Sequence, residues 1–292
     1  MAPPPGEASC EVTLRVGWFS TGRGEGSRKL LTAAVDAIRS GHLDAEIAFV
    51  FCNRERGEHE ATDAFLDLVE SFGIPALTLS SRRFRKERGG ALSQSGLPLP
   101  PWRAEYDRAV LDLVSQHEFN VGVLAGYMLI FTGAAAARYP FLNLHPAEPG
   151  GPTGTWQEVI WQLIDERAER SGVMVHLATE ELDRGPPVAF CTYALRGPAF
   201  ESLWAQAEGR SAAQIEAAEG EDNALFREIR RHGAARELPL VVETLRAVAQ
   251  GRVRIEGRRV VDGEGRELAN GLDLTVEIDA SVAAQLAEPS RS

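Results

Sequence analysis

Four short apolar runs separated by segments of helical periodicity constrain this chain more than any other feature. Val12 to Phe19, Glu46 to Phe51, Ala76 to Leu79 and Val121 to Ala125 are rich in Val, Phe, Leu and Ala with little polar alternation, as expected of strands covered on both faces. Between them, apolar residues recur at helical spacing. Leu30, Leu31, Ala34, Val35 and Ile38 share one face, as do Phe65, Leu68, Val69 and Phe72, and again Tyr106, Ala109, Val110 and Leu113. Strand–helix–strand order repeated in this way predicts an α/β fold: a doubly wound, Rossmann-like, mostly parallel sheet. The end of the chain reads differently. Pro239 to Gly251 has helical character, and Arg252 to Glu256 with Arg258 to Val261 form a hairpin about Gly257. The acidic, Ala-rich segment 201–237 reads as a helical insertion.

Composition narrows the function classes. The chain has 292 residues, 44% hydrophobic and 25% charged, which is the make-up of a soluble globular protein. One domain over 11–292 is expected, after a disordered tail at 1–10. A net charge of -11 argues against a nucleic-acid partner, which calls for a basic surface. No run reaches the roughly 18 to 20 apolar residues of a membrane span, and the Pro-rich N-terminus lacks the apolar core of a secretory signal. Cys10, Cys52 and Cys191 are scattered without metal-ligand spacing, so reduced thiols, a cytoplasmic location and no metal site are expected.

Three stretches carry candidate chemistry. Phe141 to Leu144 reads as a short strand, and Asn143 and His145, two apart, face one side. An amide donor beside an imidazole can hold an oxyanion and move a proton; the plainer reading is a turn-capping Asn and a His at a strand end. Ser20 to Lys29 is a Gly-rich loop entering a helix, a place where backbone N–H groups meet phosphates. Arg28 and Lys29 oppose the helix dipole there unless an anion is bound; a flexible connector is the alternative. Ser80 to Trp102, with five basic residues and then Gly, Ser and Pro, reads as a long mobile loop, either a lid or a solvated charge run.

Asn143-Leu-His-Pro146, followed by Gly172-Val-Met-Val-His176 and Glu180-Glu-Leu-Asp183-Arg-Gly185-Pro, resembles the 10-formyltetrahydrofolate-dependent formyltransferases, most nearly the branch that formylates glycinamide ribonucleotide in purine synthesis. The resemblance covers about residues 12–200 and resumes near 238–268. It implies Asn143, His145 and Asp183 as catalytic residues. It further implies Arg103, the stretch Met128, Leu129, Ile130 and Phe131, and Glu180 as contacts to the folate, and Gly26, Ser27 and Arg28 as contacts to the phosphate. The implied partners are 10-formyltetrahydrofolate as donor co-substrate and a small phosphorylated amine. On this reading Asp183 keeps His145 protonated, and His176 is either a packed core histidine or a site-lining one. The sequence departs from the family at Arg28 in place of Asn, at Leu129 in place of Arg, and at Ala147 to Gly151 in place of Leu-Leu-Pro. Glu237 lies near the family's substrate-holding Glu but out of register. A 10-formyltetrahydrofolate hydrolase, an amino-sugar N-formyltransferase and a non-catalytic folate- or nucleotide-binding protein are the competing functions; a pure binder would need none of the three catalytic residues.

Overall fold

The computed structural model describes residues 13–93, 98–181 and 183–287, so the expected tail at 1–10 lies outside the described residues. The first strand, β1 (Leu14–Ser20), is buried along nearly its whole length. Such a strand is stable only with helices on both faces, and the chain supplies them. The helix α1 (Glu25–Arg39) buries Ser27, Leu31, Ala34 and Val35, then β2 (Ala45–Cys52), α2 (Glu60–Ser71) and β3 (Ala76–Thr78) extend the sheet on one side. Next come α3 (Ser81–Glu87) and α4 (Trp102–Val114), and β4 (Val121–Leu124) returns to pair with β1 on its other side. After α5 (Gly133–Ala136), β5 (Phe141–His145) is the last strand to join β4 in parallel. Beyond α6 (Trp156–Asp165), the strands β6 (Arg170–Leu177) and β7 (Pro187–Ala194) run antiparallel. The remainder is α7 (Glu201–Gln206), α8 (Ala212–Glu219), α9 (Ala224–Ala249), the hairpin β8 (Val253–Glu256) and β9 (Arg259–Asp262), the edge strand β10 (Leu272–Asp273) and α10 (Thr275–Ala287).

The eight-stranded sheet has the order β10-β7-β6-β5-β4-β1-β2-β3. Successive connections run one way from β1 to β3 and the other way from β4 to β5. The reversal between β1 and β4 creates the crevice where open α/β sheets bind ligands. Thr21 N–H donates to Gly126 O at 3.0 Å across that point. Gly126 has φ of +68°, and a Cβ there would stand 2.4 Å from Ser27 Oγ. Only glycine lets the end of β4 come this close to the first turn of α1.

Two expectations are corrected. Of the loop expected at 80–102, the first part is a helix: Ser80 Oγ accepts from Arg83 N–H at 3.0 Å and starts α3, while Arg83 pairs with Glu55 and Arg88 with Glu105. Residues 88–93 and 98–101 belong to no helix or strand, and 94–97 lie outside the described residues. Of the five basic residues in this stretch, Arg83 and Arg88 are held in ion pairs. Pro239 does not begin a helix; it lies inside α9, which continues through the expected break at 237–238. The ring removes one helical hydrogen bond, yet the helix is held on both sides of it by buried Arg236, Leu240 and Val241.

Candidate active site

Phe141 and Leu142 are buried in the sheet, which fixes β5 so that Asn143 and His145 emerge towards its C-terminal end. Asp183 reaches them from the turn between β6 and β7. It has φ of +55°, a left-handed conformation that Asp and Asn tolerate better than other side chains. Two residues on, a Cβ on Gly185 would fall 1.7 Å from Leu177 O, so the turn folds back on β6 only with glycine there. Sequence spacing thus becomes geometry: the Asp sits at the crest of a turn clamped by the Gly.

The contacts define the protonation pattern. His176 Nδ1 is 2.9 Å from Leu177 O; a carbonyl only accepts, so the proton is on Nδ1 and Nε2 is free to accept. Asn143 Nδ2 accordingly donates to His176 Nε2 at 3.2 Å, and its other N–H makes a long contact of 3.4 Å to Asp183 Oδ1. By the same logic His145 Nε2, 2.7 Å from Pro152 O, donates to that carbonyl. That leaves His145 Nδ1 facing Asp183 Oδ2 at 3.5 Å. Asp183 also accepts from Gly154 N–H at 3.4 Å.

Burial is the largest influence on His145 and pushes its pKa below the ordinary histidine value. The Pro152 hydrogen bond and the Asp183 charge push upward without restoring it, and His176 adds to the lowering. The expectation of a resting imidazolium is therefore corrected: the neighbouring carboxylate is present, but desolvation of the ring outweighs it. For Asp183 burial pushes upward, yet the His176 ring 3.7 Å away, the neighbouring His145 and the Gly154 N–H together hold the carboxyl below its ordinary value. The resting pair is a neutral imidazole beside a carboxylate.

A cavity of about 190 Å³ opens on this group. Its apolar wall is Met128, Leu129, Ile130 and Phe131, all four anticipated, together with Leu124 and Tyr127; its polar end is Asn143, His176, Thr179, Glu181 and Asp183. His176 is thus both buried and part of the site wall, through its bond to Asn143. His145 is absent from the wall and meets Asp183 from the side of the Pro152–Gly154 turn. Glu180 points elsewhere, over Gly133, and its neighbour Glu181 takes the wall position. Arg103, 2% exposed, is also off the wall; it donates to Ile130 O from behind. Along the first turns of α1 another cleft of about 460 Å³ is lined by Glu25, Arg28, Lys29, Asp36 and Leu238, among others. Lys29 is paired with Glu25 at 2.9 Å, whereas among the described residues Arg28 has no ion-pair partner. Ser27 is buried beneath Gly126, and Gly26 is exposed. Glu237 is held by Arg230.

The formyl transferase family model matches residues 23–193, which include most of the glycine-rich loop, the cavity wall and all three site side chains. The chain belongs to the formyl transferase family. Phosphoribosylglycinamide formyltransferase of Escherichia coli is 29% identical over 172 residues, covering 56% of this chain and 66% of that one. The enzyme of the same name from Saccharomyces cerevisiae is 29% identical over 174 residues, covering 56% and 76%. In fold the chain is similar to glycinamide ribonucleotide transformylase 1 of Symbiobacterium toebii, with TM-score 0.59, 22% identity and coverage of 85% and 93%. It is also similar to formyltetrahydrofolate deformylase of Burkholderia mallei, with TM-score 0.54, 17% identity and coverage of 86% and 70%. As a member of this family the protein is a one-carbon transferase whose formyl donor is 10-formyltetrahydrofolate. No helix among the described residues is long and apolar enough to cross a membrane.

Proposed function

We propose that this formyltransferase moves the formyl group of 10-formyltetrahydrofolate to the amine of glycinamide ribonucleotide or a closely related phosphorylated amine. The observation that carries the reading is the meeting of Asn143 and Asp183 at the polar end of an apolar cavity, with His145 against Asp183 from outside the wall. The cavity takes the folate ring system, with the formyl group at Asn143 and Asp183. Attack of the amine on the formyl carbon forms a C–N bond and puts negative charge on the formyl oxygen. Asn143 exchanges its long 3.4 Å contact to Asp183 for a bond to that oxyanion, while His176 keeps the other N–H in place. One such donor is worth about 3 kcal/mol of barrier. The amine must lose one proton and the departing folate nitrogen must gain one. The His145–Asp183 pair holds that proton in transit: the imidazole is neutral at rest, and the carboxylate stabilises the imidazolium as it forms. Because the favourable charge pairing arises during the reaction, it lowers the barrier without tightening ground-state binding.

Arg28, without an ion-pair partner among the described residues and beside a cleft that runs along α1, supports a phosphorylated acceptor over water. A deformylase needs no such anchor. The test is release of tetrahydrofolate from 10-formyltetrahydrofolate with glycinamide ribonucleotide present and absent. Release only with the ribonucleotide supports the proposed acceptor. Equal release without it selects hydrolysis, and release with neither defeats the proposed acceptor.

A further inference from the structure

Residues 127–131 form one wall of the cavity, yet the segment 125–132 belongs to no helix or strand. Met128 is 76% exposed and Ile130 37% exposed, so two apolar side chains are held out over a partly open cavity instead of collapsing into it. Something must hold the backbone. At one end Thr21 Oγ1 accepts from Met128 N–H at 3.0 Å. At the other end two side chains one turn apart on α4 reach the backbone on either side of Phe131. Arg103 donates to Ile130 O, and Asp107 Oδ2 accepts from Thr132 N–H at 2.7 Å.

This pair is fully enclosed, Arg103 being 2% and Asp107 1% exposed. A buried ion pair gives no net stability that two well-packed apolar residues could not match, so its retention calls for another reason. The two side chains do not close on one another: their nearest contact is 3.7 Å, and Arg103 Nε and Asp107 Oδ1 have no hydrogen-bond partner. Their well-formed bonds go to the wall instead. Phe131 between them is fixed in turn by stacking on Tyr127 and Phe141, with centroids 5.2 and 4.6 Å apart.

We propose that Arg103 and Asp107 are positioning residues: a buried two-point clamp that fixes the 128–132 backbone in the shape that receives the donor. The proposal rests on the cavity being the donor site. It gives Arg103 a role through the wall and not through contact with the folate, and it adds Asp107, which acts only through Thr132 and Arg103.

The test pairs hydrogen exchange with donor binding. In the parent protein the Thr132 amide should exchange slowly although it lies in an irregular segment, because it is bonded to a buried carboxylate. Replacing both partners, Arg103→Met with Asp107→Leu, removes the clamp without stranding a buried charge. The amides of 128–132 should then exchange at least about tenfold faster while those of β4 are unchanged. The Kd of an oxidation-stable 10-formyl folate analogue should rise about tenfold or more, in line with the loss of hydrogen bonds to charged groups. The kcat at saturating donor should stay within about threefold, since the Asn143–Asp183 group is untouched. A Thr132 amide that exchanges at free-loop rates in the parent overturns the clamp even if the double variant does not fold. Unchanged exchange and unchanged Kd in a folded double variant overturn it as well. Failure of the parent to bind the analogue would defeat the donor reading, leaving exchange to decide the clamp.

Discussion

Asp183→Asn isolates charge from shape. Asn tolerates the left-handed backbone at this position, and its side-chain oxygen can still accept from Gly154 N–H, so the turn should keep its form. The carboxylate lies 3.5 Å from His145 Nδ1, with side-chain exposures of 7% and 2%. At an effective dielectric near 20, two unit charges at that separation attract by about 5 kcal/mol. That is a ceiling on what the imidazolium loses when the charge is removed. Each 1.36 kcal/mol is a factor of ten in rate, so with partial charge development kcat should fall on the order of 10² to 10³-fold. The donor Kd should change little, because the resting imidazole is neutral and gains nothing from the carboxylate. Stopped-flow turnover at saturating donor and acceptor, with equilibrium titration of a donor analogue, separates the two effects. A folded variant whose kcat stays within about threefold of the parent would refute the proton-holding role. A fall in kcat matched by an equal loss of donor affinity would show that Asp183 acts in binding.

Three further outcomes follow from the same geometry. The lowered pKa of His145 predicts a kcat/KM that is flat through neutral pH and falls on acidification below about 6.5, whereas a required imidazolium would make it fall as pH rises; His145 and Asp183 both titrate below their ordinary values, so their contribution to stability is present above the unfolded-state pKa values and is lost as pH falls through the folded-state ones. Arg28→Ala should raise the acceptor KM about tenfold or more, as expected for a charge-assisted contact, with donor affinity unchanged; equal weakening of both ligands would remove Arg28 as the acceptor's anchor. Gly126→Ala, forced to place a Cβ 2.4 Å from Ser27 Oγ at φ of +68°, should cost at least about 1 kcal/mol of stability, and an unchanged Tm would contradict the close approach.

The strands of the parallel half were legible because burial on both faces leaves unbroken apolar runs, as in Val121 to Leu124. Asn143, His145 and Asp183 were legible because their motifs are local, and the structure brings Asn143 and His145 each against Asp183. What was hidden is non-local. The helix α3 has only one large apolar residue turned inward, Phe84, so no periodicity announced it; its cap and its pairing with Glu55 across the fold hold it. The protonation state of His145 is not legible, because sequence reveals a neighbouring carboxylate but not the enclosure that opposes it. Asp107 stands four residues after Arg103, a spacing that places the two on one helix face, but the periodicity predicts that helix only from Tyr106, whereas α4 begins at Trp102. The choice between Glu180 and Glu181 turns on a backbone direction inside a tight turn, which composition does not encode.

The most direct measurement follows the formyl carbon itself. With donor labelled by ¹³C at the formyl position and glycinamide ribonucleotide as acceptor, NMR of the products reports where the label goes. Formyl transfer at the Asn143–His145–Asp183 site predicts label in a new amide on the ribonucleotide at the rate tetrahydrofolate appears, abolished together with folate release in Asn143→Ala. Label recovered as free formate, at a rate indifferent to the ribonucleotide, would contradict it.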